Sequence, residues 1–132
     1  MACYTVLRAR VTSDSVAVGE RFVLALSQQA WATLAECFHE DVKFNALIPP
    51  GLRMATDREA TTEYLRQWFG DADQLLLLHS TVEPLEDRLH IAYRIRAHED
   101  RWYVVEQHAY CTVRTGQIAR MDLLCSGFQP ES

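Results

Sequence analysis

Residues 106–130 read EQHAYCTVRTGQIARMDLLCSGFQP, and the spacing of polar and apolar side chains predicts two strands paired around a turn. Strand side chains alternate between faces with a period of two. Glu106, His108 and Tyr110 therefore share one face of the first strand, and Gln107, Ala109 and Cys111 share the other. On the second strand Arg120, Asp122 and Leu124 alternate with Met121, Leu123 and Cys125. A three-residue loop through Arg114, Thr115 and Gly116 predicts His108 opposite Asp122 and Glu106 opposite Leu124, with the glycine supplying positive φ. The stretch thus offers two faces of different chemistry, and each implies a different function when it is the interior one.

Working outward, the upstream sequence supplies two more strands. RLHIAYRIRA (88–97) sets Leu89, Ile91, Tyr93, Ile95 and Ala97 on one face against Arg88, His90, Arg94 and Arg96 on the other, and QLLLLHSTVEPL (74–85) precedes it. The first half of the chain reads differently. TSDSVAVGERFVLALSQQ has helical spacing through Val16, Phe22, Val23 and Leu26, and AWATLAECF resumes it through Trp31, Leu34 and Phe38 after a short break. DVKFNALIPPG alternates Val42, Phe44, Ala46 and Ile48 before a Pro-Pro-Gly turn, a strand pattern. LRMATD reads as a short crossing piece, and REATTEYLRQWF as a third helix with Ala60, Tyr64 and Trp68 one turn apart, broadened by Leu65 and Phe69. The predicted class is α+β, with helices packed on a curved mixed, largely antiparallel sheet. One domain over 13–129 is expected, with 1–12 as an amino-terminal extension or short strand and 130–132 as a carboxyl-terminal tail.

Composition narrows the function classes. A chain of 132 residues that is 48% hydrophobic and 23% charged is globular in character and long enough for one core. The net charge of -5, with arginines dispersed among acids, gives little electrostatic support for nucleic-acid binding. No apolar run reaches the roughly 20 residues that span a bilayer, and the amino terminus lacks a signal-peptide succession. A soluble, cytoplasmic protein is the expectation. Cys3, Cys37, Cys111 and Cys125 are spaced as isolated thiols, and no metal or other cofactor is implied. His39-Glu40-Asp41 has the residue types of a metal site but reads as a solvated helix end.

The order of elements resembles the nuclear transport factor 2-like superfamily, also called SnoaL-like, a cone-shaped α+β fold. AWATLAECFHEDVKF, PPGLRMATDREATTEYLRQWF and GQI before the final strand carry the resemblance. It implies a pocket between three helices and a curved sheet, and frequent homodimers through the convex sheet face. Relatives include polyketide cyclases, ketosteroid isomerases and epoxide hydrolases. Three departures are visible. Asp57 stands where relatives commonly have glycine before Arg-Glu, and it is suited to cap the third helix. The place of the isomerase general base falls near Asn45-Ala46. The cyclase-like His and Asp positions of the last strand fall on Met121 and Leu123, with Asp122 on the opposite face.

Three functional expectations follow. If the polar face is interior, His108 with Asp122 or Glu106 transfers protons, Tyr110 donates to a developing oxyanion, and the protein is an isomerase, cyclase or hydrolase. If the softer face is interior, Tyr103, Gln107, Cys111, Met121, Leu123 and Cys125 line a receptor for an apolar small molecule. Tyr93 and, from the helices, Trp31, Tyr64 and Trp68 join that lining. The polar face then serves a homodimer or another protein partner.

Overall fold

The computed structural model describes residues 13–132, so the expected extension at 1–12 lies outside the described residues. Helix α1 is Ser13–Ser27, α2 is Trp31–Glu36 and α3 is Arg58–Phe69. The strands are β1 Phe38–Ile48, β2 Gly51–Ala55, β3 Gln74–Leu85, β4 Arg88–Glu99, β5 Arg101–Arg114, β6 Gln117–Cys125 and β7 Gln129–Pro130. Their order is β2-β1-β6-β5-β4-β3, with β7 on β5. Among the described strands only β1 and β6 run parallel; the other neighbours are antiparallel. The α+β reading holds: α1 lies on β3 and β4, α3 on β1, and α2 touches both longer helices. Among the described residues no helix is long and apolar enough to cross a membrane.

Each helix buries the face its sequence marks. In α1 the side chains of Phe22 and Leu26 are fully buried, while Leu24 between them is 53% exposed. Phe22 meets the rings of Phe38 and Tyr93, each at 5.9 Å between centroids. In α3 the innermost row is Thr61, Leu65 and Phe69. Tyr64 and Trp68 sit beside that row, half-buried against Phe44 of β1. The helix starts at Asp57, whose carboxylate accepts the Ala60 N–H at 2.8 Å and satisfies one orphan donor of the first turn. Asp57→Ala is expected to cost about 1 kcal/mol, seen as a melting temperature lower by roughly 3–5 °C; an unchanged transition would remove the cap from the account.

Three expectations need correction. LRMATD is not a crossing piece, because Gly51–Ala55 pairs with β1 from Ile48↔Gly51 to Phe44↔Ala55 and extends the sheet. AWATLAECF is helical only to Glu36, and Phe38 opens β1, which takes His39, Glu40 and Asp41 into a strand instead of a helix end. There His39 Nδ1 accepts the Asp41 N–H at 3.1 Å.

The third correction is the β5–β6 register. His108 faces Leu124, and Asp122 faces Tyr110. Thr115 and Gly116 both have positive φ, 51° and 77°, as a two-residue hairpin of mirror-image type requires. Arg114 then pairs with Gln117, and a bulge opposite Thr112–Val113 absorbs the extra residue. The slip relative to the expected pairing is two residues, so each side chain keeps its face but changes its neighbour. At the end of the chain β7 adds to β5, and Glu131 pairs with Arg96 at 2.7 Å while Arg96 covers the Trp102 ring at 4.2 Å.

Candidate functional site

Burial separates the two faces of β5. Val105, Gln107, Ala109 and Cys111 are buried with Met121, Leu123 and Cys125 of β6, on the helix-covered side. Glu106 and His108 are partly exposed, and Tyr110 is 39% exposed, on the other side. The softer face is therefore interior. His108 emerges away from the core, and a proton relay through it inside the cone has no geometry.

A cavity of about 340 Å³ sits between the Pro49-Pro50 turn, Trp68 of α3, and Cys125, Gly127 and Phe128 following β6. Local sequence builds each wall. The Pro-Pro pair ends β1, and Gly51 begins the returning strand. Trp68 is held by Tyr64 at 5.7 Å between ring centroids, and Phe128 by Phe69 at 5.2 Å. Gly127 adopts φ +82°, and a Cβ there would meet Pro49 Cγ at 2.6 Å, so only glycine lets the two rims approach. Ser126 fixes the strand end: its hydroxyl accepts the Glu106 N–H at 2.9 Å and donates to the Gly127 carbonyl at 2.8 Å. The Gln129 amide, the cavity's polar side chain, donates to the Ser126 carbonyl at 3.1 Å.

The candidate ligand residues thus occupy different places. Trp68 and Cys125 line the cavity, and Tyr64 supports Trp68 from behind. Tyr93, Gln107, Cys111, Met121 and Leu123 are buried deeper in the cone. The Tyr93 hydroxyl donates to Gln107 Oε1. Trp31 lines a separate, polar depression with Glu63, Arg66 and Asp71, and Tyr103 is half-buried beneath Arg101. Sequence reasoning missed Ile48, Pro49, Pro50, Gly127, Phe128 and Gln129 as lining; the signal was the pairing of a Pro-Pro turn with a Ser-Gly-Phe exit, both read only as chain reversals.

Electrostatically the interior is neutral. Burial pushes the Cys37 thiol up to about 11 and the Cys111 thiol well above its ordinary value. Burial also raises the Tyr93 phenol well above 10. Cys37, Cys111 and Cys125 are free thiols, while Cys3 lies outside the described residues.

The polar candidates form two groups on the outer face. Arg94 pairs with Glu106 at 2.7 Å, Glu106 contacts His108 Nε2 at 3.1 Å, and His108 Nδ1 meets His90 Nε2 at 3.0 Å. His90 in turn stacks on Tyr110 at 4.8 Å. The His108 hydrogen bond, then that of Arg94, holds the Glu106 carboxyl below its ordinary value. Asp122 belongs to the second group. Burial pushes its carboxyl up, but hydrogen bonds from Arg120 at 3.0 Å and Asn45 at 3.0 Å outweigh that and lower it. The expected His108–Asp122 pair is replaced by Glu106 and His90 around the imidazole, a direct consequence of the register.

Comparison with known proteins gives the fold a family. The SnoaL-like domain matches residues 19–121, so the chain belongs to the SnoaL-like family within the nuclear transport factor 2-like superfamily. No curated protein sequence matches it. Among solved structures, Bal32a from a soil-derived mobile gene cassette is similar at TM-score 0.69 and 17% identity over 86% of this chain and 90% of that one. An LEH-like epoxide hydrolase of M. tuberculosis is similar at TM-score 0.66 and 13% identity, over 87% and 84%. An NTF2-like protein of Burkholderia xenovorans LB400 is similar at TM-score 0.66 and 13% identity, over 87% and 91%. These identities establish shared architecture and leave reaction chemistry to the site itself.

Proposed function

We propose that this SnoaL-like pocket protein binds an apolar small organic molecule in the cavity between the Pro49-Pro50 turn, Trp68 and Phe128. The observation that carries the reading is the lining: aromatic, prolyl and aliphatic surface with the Gln129 amide, and Cys125 as the one ionisable side chain among the described residues. Such a site gains affinity by removing apolar surface from water, about 25 cal/mol for each Å². Among the described residues it offers no carboxylate or imidazole to move a proton, so the chemistry suggested by the hydrolase among the similar structures is not transferred here.

Trp68 supplies the test. Titration with 2-decalone, a neutral bicyclic ketone, is expected to change tryptophan emission saturably. Trp68→Phe should remove most of that change. Trp68→Ala should weaken binding measured by calorimetry about tenfold, corresponding to about 1.4 kcal/mol of lost contact. A flat titration up to the solubility limit of the probe would sink the proposal.

A second reading is homodimerisation through the outer sheet face. Leu47, Leu52, Met54, Leu124 and Tyr110 are exposed there, all on the β2-β1-β6-β5 part of the sheet. Contiguous apolar surface of this kind supports a protein contact. Asp122, already engaged by Arg120 and Asn45, lies on one rung with Met54 and Tyr110.

A further inference from the structure

We propose that the side-chain amide of Gln107 is the polar recognition point of the cavity and selects neutral apolar ligands carrying a hydrogen-bond acceptor, such as a ketone carbonyl. This rests on the pocket reading above and adds what the ligand must present.

Gln107 carries an unmet donor. Gln107 has no exposed surface, and its Nε2 has no hydrogen-bond partner among the described residues. A primary amide carries two N–H donors and a carbonyl acceptor, and Tyr93 engages only the acceptor end. Exchanging the two ends of the amide would move the deficit to the oxygen without removing it. Leaving such a group unsatisfied in a protein interior costs about 1–3 kcal/mol. Leucine or methionine would fill similar space on β5 without that cost, so the amide has a structural disadvantage that a ligand bond offsets.

Register supplies the connection to the cavity. Tyr93 pairs with Gln107 across β4–β5, and Gln107 pairs with Cys125 across β5–β6. All three side chains are on the interior face, forming one rung across three neighbouring strands. Cys125, at the end of that rung, is cavity wall. Adjacent strands lie about 4.8 Å apart, so the amide stands one small side chain behind the lining. Gln107 itself is not part of the lining, so a ligand reaches the amide by displacing the Cys125 thiol, the smallest side chain on that wall after Gly127.

The surroundings then choose the ligand class. Among the described residues no Arg, Lys, His, Asp or Glu lines the cavity, and the ion pairs Arg94–Glu106 and Arg120–Asp122 lie on the outer face of the sheet. A charged ligand would lose its hydration without a counter-charge. A saturated hydrocarbon would leave the amide unmet. A neutral acceptor on an apolar frame satisfies both conditions.

The test compares 2-decalone with decalin, which share a carbon frame and differ in the carbonyl. In ¹⁵N-labelled wild-type protein, 2-decalone should shift the Gln107 Nε2 proton resonances downfield, and decalin should not. Tyr93→Phe retains Gln107 and should retain the shift. Adding Gln107→Leu in the same background leaves neither Tyr93 nor Gln107 as a donor. There the ratio of ketone to hydrocarbon affinity should fall about 5- to 10-fold relative to Tyr93→Phe alone. Binding of both probes with no Nε2 shift and an unchanged ratio would overturn the role of Gln107 while leaving the pocket intact. Failure of both probes to bind the wild type would overturn the pocket reading and this inference together.

Discussion

Phe22→Ala is expected to lower the stability of the protein by about 3–5 kcal/mol, a fall in melting temperature of roughly 10–20 °C for a chain of this size. The residue lies where three elements meet: it leaves α1, contacts Phe38 at the start of β1, and contacts Tyr93 in the middle of β4. It is fully buried, as are both partners to within 1% exposure. Truncation removes apolar contact from all three at once. The sheet below is pinned by its neighbouring strands, so the space cannot close by collapse of one side, and the residual cavity adds to the lost transfer energy. Leu24→Ala is the matched control on the same helix. Leu24 is 53% exposed, leucine and alanine both favour helix, and the expected change is within about 0.5 kcal/mol. Thermal unfolding followed by circular dichroism separates the two. Equal losses for both variants would mean that α1 does not present Phe22 to the sheet. The variant also connects fold to site, because loosening Tyr93 loosens the hydroxyl that holds Gln107.

The contrast between Phe22 and Leu24 was readable from spacing alone, and so was most of the framework. REATTEYLRQWF forms a helix with the limits its pattern gives, because Asp57 stops the preceding chain by capping and Gly70 follows the last apolar turn. The alternation of β4 is legible for a related reason: one of its faces is buried and the other is charged, so period two is written in composition. The edge strand β2 lacks that contrast. Leu52 and Met54 point outward at 56% and 60% exposure, and the residues alternating with them, Gly51, Arg53 and Ala55, are small or charged. Its pattern is therefore inverted, and the sequence gives no reason to place Leu52 or Met54 away from a core.

The hairpin between β5 and β6 failed in a different way. A three-residue loop and a two-residue loop with a later bulge both place glycine at 116, and they differ in the conformation of Thr115 and the pairing near Thr112. Local sequence does not distinguish them, because the choice is made by how β6 must lie against β1 on its other edge. Since the resulting slip is two residues, the division into a polar and a soft face survived. The proposed His108–Asp122 partnership did not. Of the cavity, Trp68 and Cys125 were found from aromatic and strand patterns. Its rims escaped notice because Pro49, Pro50 and Gly127 act through backbone shape and mutual approach, which no periodicity records.

Leu124→Arg is expected to dissociate a dimer formed through the outer face, with the sedimenting mass falling to that of the 15.2 kDa chain at concentrations where the wild type is paired. The position follows from the register. Leu52 pairs with Leu47, and Leu47 with Leu124, so three exposed leucines form one rung across β2, β1 and β6. The next rung runs Met54, Asn45, Asp122 and Tyr110. Leu124 is thus bordered by Leu47 on β1, by His108 on β5, and along its own strand by Asp122 with its Asn45 and Arg120 hydrogen bonds. A two-fold contact would bring this surface against its own copy. A guanidinium at 124 would be buried there without a free carboxylate, since Asp122 is already engaged by Arg120; an uncompensated buried charge costs on the order of 3–5 kcal/mol. Reversing Asp122 instead would break its bonds to Arg120 and Asn45 within the chain, and any change in mass would then mix folding with assembly. Leu85→Arg supplies the control, because Leu85 is 51% exposed on β3, at the opposite edge of the sheet. Wild type and Leu85→Arg should share one sedimentation profile and Leu124→Arg should depart from it. A wild-type mass of one chain at every concentration would dispose of the interface, and dissociation by Leu85→Arg alone would move it to the β3 edge.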